Sequence, residues 1–126
     1  AGMLNGEKTG FRPTVEDMYA GYTVIENKFT GNTTIGIVMT NACFDKSRLC
    51  KIAGMAQNGL ARSIRPVHTS ADGDSVYAMS VGTVQADMDM VGTLAADVMS
   101  EAILSAVKNA ETAYGYISVN DFLTEY

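Results

Sequence analysis

Two short apolar runs, each followed by a long segment with helical periodicity, constrain the fold of this chain more than any other feature. The first run is TIGIVMT at 34–40, and the second is SVYAMSVGTV at 75–84. The order of loop, strand, helix, strand, helix and tail predicts a mixed α/β (α+β) fold. Both faces of the first run are apolar, which is typical of a strand that is covered on each side.

Both predicted helices carry an apolar stripe that contains alanines. The first helix can therefore lie close against a sheet, and the alanine-rich face of the second indicates tight packing. The first begins at Asp45 and ends before Pro66, and the second is expected to begin with Asp89 as its N-cap. Thr14 is predicted to cap a short helix nearer the start. The stripes are Leu49, Ile52, Ala53, Ala56, Leu60 and Ile64 in the first long helix, and Val91, Leu94, Ala95, Val98, Ala102, Ile103 and Ala106 in the second.

The 126 residues amount to one domain at most, and two strands cannot close a sheet around two long helices. We therefore expect further strands from sequence beyond this segment or from partner chains. The net charge of −5 disfavours nucleic acid as a partner, because phosphates need a Lys/Arg surface. The two cysteines, Cys43 and Cys50, are interpreted as free thiols, which favours the cytoplasm. No uninterrupted apolar run has the length of a membrane span.

The tripeptide Asn32-Thr33-Thr34, just before the first strand, has three interpretations. The pattern alone favours a plain turn followed by a strand, since Asn tolerates turns and Thr favours strands. Asn-Thr-Thr also matches an N-glycosylation sequon. The third interpretation is a latent nucleophile: if the Asn32–Thr33 bond were cut, Thr33 would carry both a hydroxyl and a free α-amine that can act as its own general base.

Asp72 and Asp74 flank Gly73 just before the second strand, and the pattern alone is that of a polar turn. In extended backbone these carboxylates lie on the same side, where they can share a proton, bind an ammonium group or orient a hydroxyl. An EF-hand calcium loop is excluded, because its glycine and closing glutamate are absent. The single histidine, His68, is interpreted as structural. The residues suggest no metal and no organic cofactor.

Three blocks in order resemble the C-terminal part of the DmpA-type aminopeptidases, the L-aminopeptidase/D-esterase and β-aminopeptidase family. They are GNTTIGIVMTNA, KIAGMAQNGLARSIRPVHTSADGDSVYAMSVG and VGTLAADVMSEAILSAVKNAE. The Asn-Thr-Thr junction and the Asp-Gly-Asp pair are most similar to the branch of the endo-type nylon-oligomer (6-aminohexanoate-oligomer) hydrolases.

The resemblance implies a precursor that cleaves itself into an α part and a β part. Asn32 would end the α part (1–32), and Thr33 would open the β part (33–126) as the catalytic residue. Asp72 and Asp74 would orient Thr33 and its amine. The implied fold is a four-layer αββα sandwich, similar to the N-terminal nucleophile hydrolases. The implied assembly is an oligomer of αβ units, and the implied activity is hydrolysis of peptide or linear ω-amide bonds.

In this family the residues that stabilise the oxyanion lie in the α part, upstream of this segment. We therefore expect the 126 residues to be inactive on their own. Two alternatives stay open. One is an acyltransferase of the ornithine acetyltransferase type, which passes the acyl group to an amine. The other is a non-catalytic assembly subunit in which the Asn32–Thr33 bond stays intact.

Overall fold

A computed structural model describes residues 3–4, 7, 10–21 and 33–123 of the chain. The elements in chain order are β1 (Met3–Leu4), β2 (Phe11–Arg12), α1 (Thr14–Tyr19), β3 (Ile35–Ala42), α2 (Lys46–Ser63), β4 (Ser75–Val84), α3 (Met88–Lys108) and α4 (Val119–Leu123). The predicted order of two strands and two long helices is confirmed by β3, α2, β4 and α3. The chain is therefore a mixed α/β structure.

Strands β3 and β4 form a two-stranded parallel sheet, and α2 is the crossover between them. The register pairs Ile35 with Ser75 and continues to Thr40 and Ser80 before it becomes irregular. Strands β1 and β2 form a separate antiparallel pair. Because β3 and β4 are parallel, the residues that precede each strand meet at the same end of the sheet.

Both long helices begin at an aspartate that caps free backbone N–H groups. The carboxylate of Asp45 accepts a hydrogen bond from the N–H of Arg48 at 2.8 Å. For α3 the prediction of Asp89 as the cap is wrong, because Asp87 takes that position and accepts from the N–H of Met90 at 2.9 Å. Asp87 is in extended backbone, whereas Asp89 already lies in the first helical turn.

The predicted cap of α1 is also wrong. Thr14 is the first helical residue, and the preceding Pro13 takes the N-cap position in extended backbone. Pro13 has no side-chain donor or acceptor, and α1 accordingly has no side-chain cap hydrogen bond.

The core lies between α2 and α3, where small residues bring the two helices close together. Ile52, Ala56 and Leu60 of α2 are fully buried and pack with Ala95 and Met99 of α3. The tight packing predicted for α3 is confirmed by this contact, and α2, which is expected to lie close against a sheet, also packs against β4. The predicted stripe of α3 is partly wrong, because its larger members Leu94 and Val98 are 58% and 54% exposed. The side of α3 that meets α2 is instead the side with Gly92, Ala95, Ala96 and Met99.

The sheet is covered on one face only among the described residues, so the prediction that β3 is covered on both sides stays a prediction about the whole protein. Gly36 and Ala42 are buried, while the alternate residues of β3 and β4 face outward. We call this outward side the uncovered sheet face; it consists of Ile35, Ile37, Met39, Tyr77, Met79 and Val81, each between 45% and 68% exposed.

By length and composition alone, α3 is long and apolar enough to cross a membrane. Core helices pass the same test, and α3 packs through its small residues against α2. Only 22% of this apolar window is buried among the described residues, so packing against α2 accounts for the small residues of α3 but not for its exposed Leu94 and Val98.

Candidate active site

The Thr33-Thr34 segment and the Asp72-Gly73-Asp74 turn lie side by side at the end of the sheet where β3 and β4 begin. The N–H of Ser75 donates to the carbonyl of Thr34 at 2.9 Å, which extends the parallel ladder by one hydrogen bond. The two segments that the sequence analysis selected, 40 residues apart, are thus brought together by the register of β3 and β4.

The hydroxyl of Thr33 lies next to Gly73. A Cβ built on Gly73 would lie 2.9 Å from Thr33 Oγ1 and 3.8 Å from Thr33 Cγ2. Both residues are exposed, so the hydroxyl faces solvent as well as the turn. A side chain at position 73 would therefore occupy space that the hydroxyl now uses.

Asp74 connects this end of β3 to the loop before β4. Its Oδ1 accepts a hydrogen bond from the N–H of Thr34 at 2.9 Å. Its Oδ2 lies 3.1 Å from Nδ1 of His68, and the Asp74 side chain is only 6% exposed. A nearly buried carboxylate is costly unless it has partners, and Asp74 has one on each oxygen. It therefore fixes the peptide group that follows Thr33.

Asp72 has a different set of contacts. Its Oδ2 accepts from the N–H of Thr69 at 2.6 Å, and its own N–H donates to the Thr69 carbonyl at 3.1 Å. Hydrogen bonds from the side chain and then the backbone of Thr69 hold the pKa of Asp72 below its ordinary value of 3.8, and the charge of His68 lowers it further. Asp72 is therefore ionised near neutral pH rather than a proton-sharing carboxyl. Its predicted role in orienting Thr33 stays a prediction.

His68 is the residue at this site to which the sequence analysis gave no role. It follows Arg65 and Pro66 in the loop between α2 and β4, and its φ of +55° is in the left-handed region. Nothing in its spacing from Asp74 points to a contact, because that contact depends on how the loop folds. The only signal in the sequence was the presence of a single histidine six residues before Asp74.

The remaining candidates contribute little to this site. Asn32 lies outside the described residues. Cys43 and Cys50 are free and exposed thiols. Within the described ranges no group of three or more His, Cys, Asp or Glu side chains could hold a metal ion. The arrangement that remains is a hydroxyl beside a glycine, with a buried carboxylate holding the adjacent backbone.

Comparison with known proteins agrees with the resemblance seen in the sequence. Residues 3–119 match the family described as peptidase family S58. An uncharacterized aminopeptidase of Mycobacterium leprae (strain TN) is 34% identical over 125 residues, covering 86% of this chain and 34% of that protein. The 6-aminohexanoate-oligomer endohydrolase of Kocuria sp. (strain KY2) is 30% identical over 91 residues, covering 62% of this chain and 26% of that protein.

A second mycobacterial relative, an uncharacterized aminopeptidase of Mycobacterium tuberculosis (strain ATCC 25618 / H37Rv), is 35% identical over 105 residues. This alignment covers 71% of the chain and 30% of the relative. The chain thus spans between a quarter and about a third of the length of the curated relatives it matches.

Proposed function

Because the chain belongs to peptidase family S58, the DmpA-type family, we propose that it carries the nucleophile of a self-processing amide hydrolase. Its relatives are named as aminopeptidases and oligomer endohydrolases, and the chain is part of a hydrolase of this kind. Thr33 is the proposed nucleophile, released by cleavage of the Asn32–Thr33 bond. The observation that supports this most is the position of the Thr33 hydroxyl against Gly73, with Asp74 holding the next peptide group.

In the proposed processing step, Thr33 Oγ1 attacks the carbonyl carbon of Asn32. The peptide C–N bond breaks, the nitrogen takes the hydroxyl proton, and an Asn32–Thr33 ester forms. Water then hydrolyses the ester, which leaves a carboxylate on Asn32 and an α-amine on Thr33. The ordinary pKa of an α-amine is about 7.7–8.0, so part of it is neutral near pH 7.5 and can act as a base.

In the proposed reaction on substrate, the α-amine of Thr33 takes the proton of Oγ1 as that oxygen attacks an amide carbonyl. The amine half of the substrate leaves with a proton, and an acyl-threonine ester remains. Water hydrolyses this ester and regenerates the hydroxyl. The reaction requires no metal and no organic cofactor.

Asp74 and Asp72 are proposed to position Thr33. Asp74 does so through the N–H of Thr34, because that peptide bond is directly attached to the Thr33 Cα. Asp72 precedes Asp74 by two residues and contributes a negative charge to the same turn, whose Gly73 lies next to the Thr33 hydroxyl.

The finer fold that we propose is one half of a four-layer αββα sandwich. The uncovered sheet face would pack against a second sheet from the α part of the same precursor, of which 1–32 would be the end. The groove between α3 and the edge of β3 that has no partner strand among the described residues would receive a further strand. Its lining is apolar on both elements and includes Val38 of β3 and Val91, Leu94 and Val98 of α3.

In the proposed arrangement the oxyanion-stabilising groups belong to the upstream α part, so the 126 residues alone should be inactive. Losing such donors costs on the order of 10²–10³ in kcat. The αβ units are proposed to assemble into oligomers. Location in the cytoplasm stays a prediction that rests on the two free thiols.

The substrates that we propose are amides with a free amino group on the acyl side: short peptides, β-amino-acid amides or linear 6-aminohexanoate oligomers. The test uses the full-length protein and measures release of the amine product from each class. We expect hydrolysis of at least one class by the wild type and none by Thr33→Ala. Equal activity of the two proteins would contradict the proposal.

The same assay tests the acyltransferase alternative when it is run with and without an acceptor amine. A hydrolase releases free acid at the same rate in both reactions. A transferase needs the acceptor and forms a new amide. If wild type and Thr33→Ala are both inactive and both uncut, the assembly-subunit alternative is favoured.

A further inference from the structure

His68 lies beside the candidate nucleophile without having any part in the mechanism proposed above. Its side chain is 38% exposed, while that of its neighbour Asp74 is 6% exposed. The carboxylate that His68 contacts is thus nearly buried, whereas the His68 side chain is partly exposed. In this position the His68 side chain can restrict the orientation of the Asp74 carboxylate.

The contact uses the oxygen of Asp74 that Thr34 does not use. His68 Nδ1 lies 3.1 Å from Oδ2, and the N–H of Thr34 donates to Oδ1. A carboxylate oxygen can only accept, so Nδ1 carries the proton that faces it. With both oxygens engaged, the carboxylate cannot rotate about its terminal bond without losing a partner.

We propose that His68 is a positioning residue for Thr33, acting through Asp74 and the Thr34 peptide. This inference rests on the proposed function, and it adds a residue that the sequence analysis had interpreted as structural. His68 fixes the Asp74 carboxylate, and the carboxylate fixes the backbone directly after Thr33. The hydroxyl of Thr33 is thereby held against Gly73, where its Oγ1 is 2.9 Å from the position of a Cβ on that glycine.

The contribution of the His68 side-chain donor can be tested separately from that of its left-handed backbone conformation. Its φ of +55° favours Gly, Asn or Asp at this position. His68→Gly keeps the backbone conformation and removes the donor. His68→Asn also tolerates this conformation, and its amide nitrogen is the same number of bonds from the Cα as Nδ1 of histidine. The two variants therefore differ mainly in whether a donor faces Asp74.

The experiment uses the full-length precursor made by cell-free synthesis, with the ratio of uncut to cut mass followed over time. Processed protein is then assayed for kcat and KM on the best amide substrate. A misplaced reacting group costs up to about 10²-fold, so we expect His68→Gly to lower the cleavage rate and kcat by roughly 10-fold to 100-fold. KM should change by less than about twofold, and His68→Asn should stay within about threefold of the wild type.

Two results would overturn the inference while leaving the proposed function in place. One is a His68→Gly variant as fast as the wild type. The other is a His68→Asn variant as slow as the glycine variant, because a donor would then make no difference. If His68→Gly does not fold, His68→Ala takes its place, since it also has no side-chain donor and adds no charge beside Asp74. A wild type that never cleaves would instead reject the proposed function itself, and this inference with it.

Discussion

Gly73→Ala is the substitution that most selectively perturbs the candidate nucleophile. The φ of Gly73 is outside the left-handed region, so alanine meets no conformational penalty there. The new Cβ would lie 2.9 Å from Thr33 Oγ1, and its next nearest neighbours within 4 Å also belong to Thr33. The substitution therefore acts on one side chain.

The expected loss of cleavage and hydrolysis rate follows from the distance between the new Cβ and Thr33 Oγ1. Carbon and oxygen atoms in ordinary contact are about 3.4 Å apart or more, so Oγ1 must withdraw by about 0.5 Å or rotate away. A 1 Å misplacement of a reacting group can cost about 100-fold in rate, which makes about tenfold the expected loss for half that distance. Thr33 is exposed, so the free energy of unfolding should change by less than about 1 kcal/mol.

The assay measures the rate of Asn32–Thr33 cleavage and the amide hydrolysis of the full-length protein, together with the thermal unfolding midpoint. Gly54→Ala is the matched control, because Gly54 is exposed on α2 and a Cβ there would meet no atom within 4 Å. This control should leave both rates unchanged and raise stability by about 0.5–1 kcal/mol, since glycine is unfavourable inside a helix. Unchanged cleavage and hydrolysis in Gly73→Ala would refute the placement of the nucleophile.

Three further substitutions test other parts of the structure. Gly59→Ala should lower the free energy of unfolding by about 1–3 kcal/mol in urea titrations, because its Cβ would lie 2.5 Å from the backbone oxygen of Ala96 and force α2 and α3 apart. Asp87→Ala should cost about 1 kcal/mol in the same measurement, because it removes the cap of α3. Asp72→Asn should unfold at a lower temperature than the wild type near pH 7. The difference between the two unfolding temperatures should become smaller as the pH falls below about 4. The pKa of Asp72 is lowered by Thr69 in the folded state, so the stability it contributes is present above the unfolded pKa and is lost as the pH falls through the folded pKa.

Each of these predictions has a result that contradicts it. A Gly59→Ala protein as stable as Gly54→Ala would show that the helices are not in close contact at that point. An Asp87→Ala protein of wild-type stability, with Asp89→Ala destabilised instead, would favour the cap position that the sequence analysis expected. If the difference in unfolding temperature between wild type and Asp72→Asn stays constant from pH 7 to pH 3, the charge of Asp72 does not contribute to stability.

The sequence predicted the elements well because their periodicities are strong and local. The strands are predicted at 34–40 and 75–84 from short apolar runs, and the helices from a period of 3.6 residues; the first strand is observed at 35–42. The cap of α3 was misplaced by two residues, because Asp87 and Asp89 are equally good capping residues and only the backbone decides between them.

Features that depend on contacts between distant parts of the chain could not be predicted from local sequence patterns. An apolar strand such as IGIVMTNA predicts burial on both faces, but it does not say which segment supplies the cover, and here one face stays open among the described residues. At the site, Thr33, Asp72 and Asp74 were selected because they precede strands and form a short motif. His68 was missed because its contact with Asp74 arises from the fold of the loop.

The central claim is that Thr33 becomes an N-terminal nucleophile, and the most direct test is the intact mass of the full-length protein with N-terminal sequencing of its smaller fragment. We expect a fragment that begins Thr-Thr-Ile-Gly and is absent from Thr33→Ala. A single uncut mass that persists after long incubation would contradict it, and GNTTIGIVMT would then be a turn followed by a strand.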